Sequence, residues 1–274
     1  MKAYSDPEQM RRVMTQMQAA GNIPNVMTWN TLLKACAKPV QMKAVMEEMR
    51  AAGVTPDSST WNILMDASQP ADMRGVMTDM QAAGVPPTVG SWTILMRGAG
   101  QTQRRRQGGL PGQSRADDGE GESMKAIMRE MQTCGIRPNV LTWSTLMNFM
   151  HDPDDCREVM QQMLANGVVP DATAWNTLQK TYSSPEEMRG VMAEMAAAGV
   201  PPSVYSWTTL ATAYPLPKDR RAVMLEMAKT SRVAATTATW NTLMHAHSCP
   251  LEMRAVMREM EAAGCSPDVF TFNI

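Results

Sequence analysis

Residues 26–57 read VMTWNTLLKACAKPVQMKAVMEEMRAAGVTPD, and this stretch decides the fold. Its first part places apolar residues at the i, i+3, i+4, i+7 spacing of one helix face, at Trp29, Leu32, Leu33 and Cys36. Thr28 stands directly before this pattern and is the expected N-cap, since its hydroxyl can accept from the free amides of the first turn. Pro39 ends this helix and suits the first turn of the next one.

The second part of the stretch repeats the same spacing on a second predicted helix, at Met42, Val45, Met46 and Met49. Gly53 supplies a left-handed C-cap, and Pro56 prevents the helix from continuing. The stretch is therefore a helical hairpin with two apolar stripes. Because one hairpin cannot bury both stripes alone, neighbouring hairpins must stack.

The hairpin recurs along the whole chain with a period of about 32 residues. Its aromatic anchor returns at Trp29, Trp61, Trp92, Trp143, Trp175, Trp207, Trp240 and, as phenylalanine, Phe272. One interval is 51 residues and contains an insert; the others lie between 31 and 33. A period in this range predicts an all-α solenoid of stacked helix-turn-helix units.

The period also predicts the domain boundaries. Residues 1–25 are the second helix of a partial first unit, 26–97 and 124–268 are full units, and 269–274 begin a truncated one. The insert at 98–123 is rich in Gly, Gln, Arg, Asp and Ser and is predicted to be disordered. The junction at 231–235 lacks the usual Gly and Pro and is expected to be the loosest regular one.

Arg104, Arg105 and Arg106 in the insert have two interpretations. They can form a basic arm that binds nucleic acid, or they can be solvated charges of a tolerated loop insertion, which is the favoured interpretation. The chain as a whole has 26 basic and 27 acidic residues and so no overall basic signature. A local basic stripe remains compatible with that balance.

Several classes of protein are disfavoured by the motifs that the sequence lacks. Its five cysteines include no CxxC pair and no histidine at zinc spacing, so no metal site is expected, and unpaired thiols suit a reducing compartment. No apolar stretch approaches the roughly 20 residues of a membrane helix. There is no Gly-rich phosphate loop, Ser-His-Asp set or zinc deaminase motif, so neither catalysis, a cofactor nor a small-molecule substrate is expected. The 29 methionines are interpreted as ordinary core residues.

The two halves of the unit resemble the pentatricopeptide repeat family. TWNTLL at 28–33, TWSTLM at 142–147 and TWNTLM at 239–244 carry the first half, and VMEEMRAAGVTPD at 45–57 and VMREMEAAGCSPD at 256–268 carry the second. The chain departs from the family in having tryptophan at the aromatic position, methionine in the second helix and units about three residues short. The resemblance implies a right-handed α-solenoid.

The resemblance also implies that each unit faces one base of single-stranded RNA, read mainly by two side chains. The first reader follows the aromatic anchor, and these residues are Asn30, Asn62, Thr93, Ser144, Asn176, Thr208 and Asn241. The second reader is the last residue of the unit, and these residues are Asp57, Thr88, Asn139, Asp171, Ser203, Thr236 and Asp268. By the family's pairing preferences, the seven pairs in chain order resemble a reader of U-x-A-G-C-x-U.

An alternative explanation exists for the reader positions, because Asn, Ser and Asp near a helix start are favoured there as caps. The variation among Asn, Thr and Ser inside a nearly constant Trp-x-Thr-Leu frame favours a code. The family places apolar residues that pack against bases two before the anchor, where this chain has Met27, Ser59, Gly90, Leu141, Thr173, Tyr205, Ala238 and Phe270. Five residues after the anchor, Lys34, Arg97 and Lys180 are candidates to contact phosphate.

The implied function is sequence-selective binding of single-stranded RNA in a mitochondrion or plastid, for RNA processing, stability or translation. The alternative is a solenoid that binds other proteins or is a structural subunit of an organellar complex. Near-zero net charge favours the alternative, and the coherent pairs of small polar readers favour RNA.

Overall fold

The computed structural model describes residues 7–107, 119–230, 235–247 and 249–273, and the side chains of 102–123 lie outside the description. The described residues form sixteen α-helices and no strand. These are α1 (Pro7–Ala19), α2 (Val26–Ala35), α3 (Pro39–Ala51), α4 (Ser58–Ala67), α5 (Met73–Ala82), α6 (Val89–Gln107), α7 (Gly119–Thr133), α8 (Val140–Met147), α9 (Pro153–Ala165), α10 (Ala172–Thr181), α11 (Pro185–Ala197), α12 (Val204–Ala213), α13 (Pro217–Thr230), α14 (Thr237–Met244), α15 (Pro250–Ala262) and α16 (Val269–Phe272).

The helices form two compact units, Met1–Phe149 and Met150–Ile274. In the first, the even-numbered first helices α2, α4, α6 and α8 pack on one another in chain order, and each odd-numbered second helix packs beside them. In the second, α10, α12, α14 and α16 do the same. The predicted all-α repeat solenoid is thus confirmed, while its handedness stays a prediction.

The methionine stripe of the second helices forms the core between the two layers. In α3, Met42, Val45, Met46 and Met49 are all buried, and Met49 is fully so. On the facing first helix, Leu32 and Leu33 are buried as well. The same spacing is buried in α5, α7, α9 and α11, so methionine is the ordinary core residue of this chain.

The turns after seven of the second helices follow the predicted glycine signal. Gly53 has a φ of 76°, which a side chain would strain, and the amide of Val54 reaches back to the carbonyl of Met49 at 3.0 Å. The other six predicted glycines have φ values between 74° and 80°. At these seven turns the second helix therefore ends at the same place in the repeat, and the chain enters the next first helix.

The N-terminus of the first helix differs from the prediction. Asn25, not Thr28, is the N-cap of α2, and its Oδ1 accepts from the Thr28 amide at 3.0 Å. Thr28 is the third residue of the helix. Val26 and Met27 are also helical, but they lie outside the most buried face of α2. The buried apolar stripe therefore starts at Trp29.

Helix extends into both ends of the predicted insert. Helix α6 continues through Gly98 to Gln107, and α7 begins at Gly119, while the disorder of the insert stays a prediction. A Cβ on Gly100 would lie 2.5 Å from the Phe149 ring, which means that this glycine lets Phe149, in the turn after α8, approach α6 closely. Residues 108–118, the side chains of Arg104–Arg106, residues 1–6, the 231–234 junction and residue 274 lie outside the described residues.

Ion pairs join successive second helices on their exposed sides. Arg157 donates to both carboxylate oxygens of Glu194, at 3.0 and 3.2 Å, and to the Tyr182 hydroxyl at 2.7 Å. Because of these bonds the pKa of the Arg157 guanidinium lies above its ordinary value. The equivalent pairs are Arg11–Glu48, Arg74–Glu130, Arg189–Glu226 and Arg221–Glu259.

Candidate nucleic-acid interface

The two predicted readers of a unit come from neighbouring first helices. The first reader lies one turn into its helix, as Asn30 does in α2, and is half-buried or buried. The second reader is the N-cap of the next first helix, as Asp57 is for α4. All second readers but half-buried Ser203 are exposed. The interface is therefore built where N-termini of first helices meet.

Asn30 and Asp57 lie side by side. The Asn30 Nδ2 is 3.5 Å from the Asp57 Oδ1, and both side chains bond the buried Thr60 hydroxyl at 2.8 Å. Asn241 and Asp268 repeat this arrangement: Nδ2 and Oδ1 are 3.4 Å apart, and the Thr271 hydroxyl donates to the Asn241 Oδ1 at 2.9 Å. The predicted uracil readers are thus brought together in both places.

The remaining asparagine readers meet a hydroxyl in the same position. The Ser91 hydroxyl donates to the Asn62 Oδ1 at 2.7 Å, and the Ser206 hydroxyl donates to the Asn176 Oδ1 at 2.6 Å. Their second readers bond the same serines, because the Thr88 and Ser203 hydroxyls lie 3.2 and 3.3 Å from them. Each of these reader pairs is joined through one serine.

The two threonine readers occupy the same position in the repeat but make different hydrogen bonds. Thr93 donates to the Val89 carbonyl at 2.8 Å and lies 3.1 Å from the Thr142 hydroxyl, which also bonds the Asn139 Oδ1 at 2.9 Å. Thr208 likewise donates to a carbonyl of its preceding turn, and its oxygen lies 3.4 Å from that of Thr239, which bonds Thr236. In both pairs the first reader donates its hydroxyl proton to a backbone carbonyl of its own helix.

The seventh pair, Ser144 and Asp171, has one member in each compact unit, so the two are described separately. Ser144 is buried, and its Oγ has no hydrogen-bond partner among the described residues. Asp171 is exposed and caps α10 by accepting from the Ala174 amide at 2.9 Å. Asp171 thus has the local role that the capping explanation predicts.

A third polar position of this interface was not predicted from the sequence: the residue directly before each aromatic anchor. This position is the third residue of each first helix, and we call the Thr and Ser residues that occupy it the pre-aromatic hydroxyls. Those that bond a reader are Thr60, Ser91, Thr142, Ser206, Thr239 and Thr271, and all six are buried. Ala174 occupies this position in α10. The signal was present in the sequence, as a Thr or Ser before nearly every anchor.

Asp57 and Asp268, two of the acidic second readers, are ionised at neutral pH. Partial burial pushes the pKa of Asp57 upward, but hydrogen bonds from the amide and hydroxyl of Thr60 and from Asn30 outweigh it, and the net pKa lies below its ordinary value. For Asp268, the Thr271 amide and hydroxyl lower the pKa. Each carboxylate therefore offers acceptor oxygens beside the amide nitrogen of an asparagine.

Exposed apolar side chains stand two residues before the anchor in both compact units. Met27 and Leu141 in the first unit and Tyr205 and Phe270 in the second are exposed, although each lies in a helix whose apolar face is buried. Gly90 takes this position in α6, where a Cβ would lie 3.2 Å from the Asn62 Nδ2. Each unit thus offers two apolar surfaces on which a base could stack, and Gly90 gives the Asn62 amide room.

The three candidate phosphate contacts are exposed but differ in their surroundings. Lys180 lies with its Nζ 4.9 Å from the centre of the Tyr205 ring, a cation–π contact at the same edge. Arg97 forms an ion pair with Asp66, the residue at the equivalent place on the preceding first helix. Lys34 is exposed near the end of α2. Arg97 is therefore less available to a phosphate than its position suggests.

Cavities lie between the hairpins. One of about 720 Å³ is lined by Met192, Ala196 and Leu210 and reaches the second reader Ser203, and the Arg189–Glu226 pair borders it. Within the described part of the chain, no three His, Cys, Asp or Glu side chains meet to form a metal site. None of the described helices combines the length and apolarity that crossing a membrane requires.

Stacked helical hairpins with a repeated polar edge define a class, the helical-repeat proteins. The pentatricopeptide repeat domain matches residues 12–69, 126–184 and 190–248, together more than half of the chain, and the chain belongs to the pentatricopeptide repeat family. A search of curated proteins gives no match.

Solved structures share the fold. The crystal structure of the pentatricopeptide repeat protein PPR10 in complex with an 18-nt psaJ RNA element aligns with a TM-score of 0.55 and 20% identity, over 99% of this chain and 45% of that one. The structure of PPR10 from maize aligns at 0.52 and 20%, over 97% of this chain and 38% of that one. This chain spans less than half the length of these relatives, and at this identity the likeness shows the fold alone.

Proposed function

We propose that this chain binds single-stranded RNA sequence-selectively, one base for each hairpin, and that its reader pairs in chain order select U-x-A-G-C-x-U. It would act in RNA processing, stability or translation in a mitochondrion or plastid, as the family resemblance implies. The action is occupation of a site on the RNA, with no chemistry performed by this chain and with no cofactor.

The observation that carries the proposal is the meeting of the two readers. At Asn30 and Asp57, an amide nitrogen and an ionised carboxylate lie 3.5 Å apart at the edge of the array. A donor beside an acceptor matches the Watson–Crick edge of uracil, which presents carbonyl oxygens on either side of an N–H. Capping alone needs Asp57 but does not need an asparagine beside it.

The apolar edge residues and the family support the same function. Tyr205 can stack a base while Lys180, 4.9 Å from its ring, contacts the adjacent phosphate. One protein with this fold, PPR10, was solved in complex with RNA. Few cations lie along the edge. Three phosphate contacts would give a slope of log K against log salt of about −2. If Arg97 stays paired with Asp66, two contacts remain and the slope is about −1.4.

A selection from a randomised single-stranded RNA pool tests the proposal directly. At low salt we expect enrichment of a motif containing the A-G-C core, with the shallow salt slope given above. Absence of enrichment at low salt would overturn RNA binding. Enrichment of an unrelated motif would leave RNA binding standing and overturn the pairing of readers with bases.

An exchange of one reader pair tests the register. Asn176→Thr with Ser203→Asn gives the unit the Thr93/Asn139 pair, and the preference at that one nucleotide should change from cytosine to adenine. Thr177→Ser, beside the reader on the same helix, is the matched control and should leave the motif unchanged. A motif that stays the same in the exchanged protein would mean that these residues are caps and not readers.

A solenoid that binds proteins of an organellar complex is the second candidate function. The ion pair of Arg97 with Asp66 and the net charge of −1 favour it, because both reduce the attraction for phosphate. It predicts no enrichment in the RNA selection and recovery of a defined protein partner from organelle extract.

A further inference from the structure

We propose that the pre-aromatic hydroxyls are positioning residues, which hold the oxygen end of each asparagine reader so that its nitrogen end faces the base. This inference rests on the proposed function and deepens it. It assigns base discrimination to a third, buried position of each unit in addition to the two readers.

The first step is the constancy of one bond. In all four asparagine units, the hydroxyl of the next first helix bonds the reader at Oδ1: Thr60 to Asn30 at 2.8 Å, Ser91 to Asn62 at 2.7 Å, Ser206 to Asn176 at 2.6 Å and Thr271 to Asn241 at 2.9 Å. An asparagine amide has a donor end and an acceptor end of nearly equal shape. The bond engages the oxygen in every case and so turns the nitrogen towards the second reader. The Nδ2 atoms of Asn30 and Asn241 lie 3.5 and 3.4 Å from the carboxylates of their second readers, and the other N–H of each amide is left for a ligand.

The second step is the direction of the hydroxyl. Its oxygen accepts from the backbone amide of the N-cap residue, at 3.1 Å for Ser91 and 3.2 Å for Ser206. This return bond of the capping box occupies one lone pair of the hydroxyl and directs its proton elsewhere. For Ser91 and Ser206 the nearest acceptor is the asparagine oxygen, at 2.7 and 2.6 Å. For Thr60 and Thr271 the carboxylate of the second reader, at 2.8 Å, is an acceptor beside the asparagine oxygen. Helix capping and reader orientation are thus performed by one side chain.

The third step is the contrast with the threonine readers. Thr93 and Thr208 give their own protons to carbonyls of the preceding turn, both at 2.8 Å, so their oxygens are left as acceptors. The same place in the array therefore offers a donor in asparagine units and an acceptor in threonine units. A donor matches the O2 and N3 acceptors of cytosine, and an acceptor matches the N6 amino group of adenine.

The fourth step is burial. Ser206 has no exposed surface, and Asn176 is 9% exposed, so the bond between them is shielded from water. A shielded hydrogen bond costs more to break, because neither group regains a water partner. If the side-chain amide of Asn176 were flipped, its Nδ2 would face the Ser206 hydroxyl oxygen and its Oδ1 would face the base.

The test uses Ser206→Ala and Ser206→Thr in the full chain, with four RNAs that differ only at the nucleotide assigned to Asn176. Ser206→Ala should reduce the preference for cytosine by about fivefold, the equivalent of one hydrogen bond. Ser206→Thr keeps the hydroxyl and should keep the preference. Equal weakening on all four RNAs in Ser206→Ala would show a structural role only and overturn the inference.

A measurement without RNA separates this inference from the proposed function. In the ¹⁵N-labelled protein, the Asn176 side-chain amide signal is identified by its loss in Asn176→Asp. We expect one fixed orientation in the parent and in Ser206→Thr, and averaging in Ser206→Ala. An amide as fixed in Ser206→Ala as in the parent overturns the inference. If the parent shows no base preference but the amide behaves as expected, the failure lies with the base assignment.

Discussion

The second-helix layer and the N-terminal edge of the first helices share one repeat period, but they differ in whether side chains or hydrogen bonds recur. In the second helices the side chains themselves recur, since Met42, Val45, Met46 and Met49 of α3 return as Met188, Val191, Met192 and Met195 of α11. At the edge the bonds recur while the residues change from asparagine to threonine. A layer that only packs needs constant shapes, whereas an edge that keeps its bonds can exchange donor for acceptor without disturbing the fold.

The largest expected effect comes from breaking the packing layer. Met49→Ala removes a fully buried side chain, and the cavity should cost about 2–5 kcal/mol of unfolding free energy. Met49→Leu conserves volume and should cost less than about 1.5 kcal/mol. Urea unfolding of both variants measures the difference. If the two variants lose the same free energy, shape does not govern this layer.

A smaller effect separates capping from reading at the edge. Asp57→Ala removes the N-cap of α4 and should cost about 1 kcal/mol, while Asp57→Asn retains a capping oxygen and should cost little. The two variants should nevertheless both alter the base preferred by that unit. Thermal melts give the stabilities, and RNA binding gives the preference. An Asp57→Asn protein as unstable as Asp57→Ala would show that the charge, and not the acceptor, is required.

The ion pairs between second helices should contribute less again. A double-mutant cycle with Arg157→Gln and Glu194→Gln should give a coupling of about 0.2–1 kcal/mol, because both side chains are partly exposed. Salt at about 1 M should reduce this coupling, since the Debye length falls to roughly 3 Å. A coupling that does not respond to salt would mean that hydrogen-bond geometry, with Arg157 held by Tyr182, and not the charge, holds the pair.

The smallest effect is the pH dependence of the acidic caps. Because the pKa of Asp57 is lowered on folding, its contribution is complete above the unfolded value of about 3.9 and is lost as the pH falls through the lower folded value. Thermal melts between pH 5 and pH 2 should therefore show a smaller loss for Asp57→Asn than for the parent. Parallel curves for the two proteins would contradict the depressed pKa.

The fold could be predicted from the sequence because its signals are local and repeated. Gly53 and Pro56 end a helix by backbone geometry alone, and the methionine spacing identifies the buried face. The first-helix start was misplaced because Asn25 and Thr28 are both good caps. Only the bond from the Thr28 amide to Asn25 distinguishes them, and that depends on where the chain becomes helical.

The edge was half predictable. Readers such as Asn30 stand at fixed places in the unit, but the bond from Thr60 to Asn30 joins residues 30 apart in sequence and needs the stacked fold. The helical ends of the insert also depend on the stacked fold. Composition treats Gly100 as a sign of disorder, whereas its lack of a side chain is what lets Phe149 approach α6.

The extension of α6 gives the array an attachment point. Thr93 lies near the N-terminal end of α6 and Gln107 at the other, 14 residues apart, so the helix rise separates them by about 21 Å. Gln107 thus lies at the end of α6 opposite the polar edge. A fluorophore or a second protein domain joined at Gln107 would report on, or travel with, the helices while leaving the polar edge accessible.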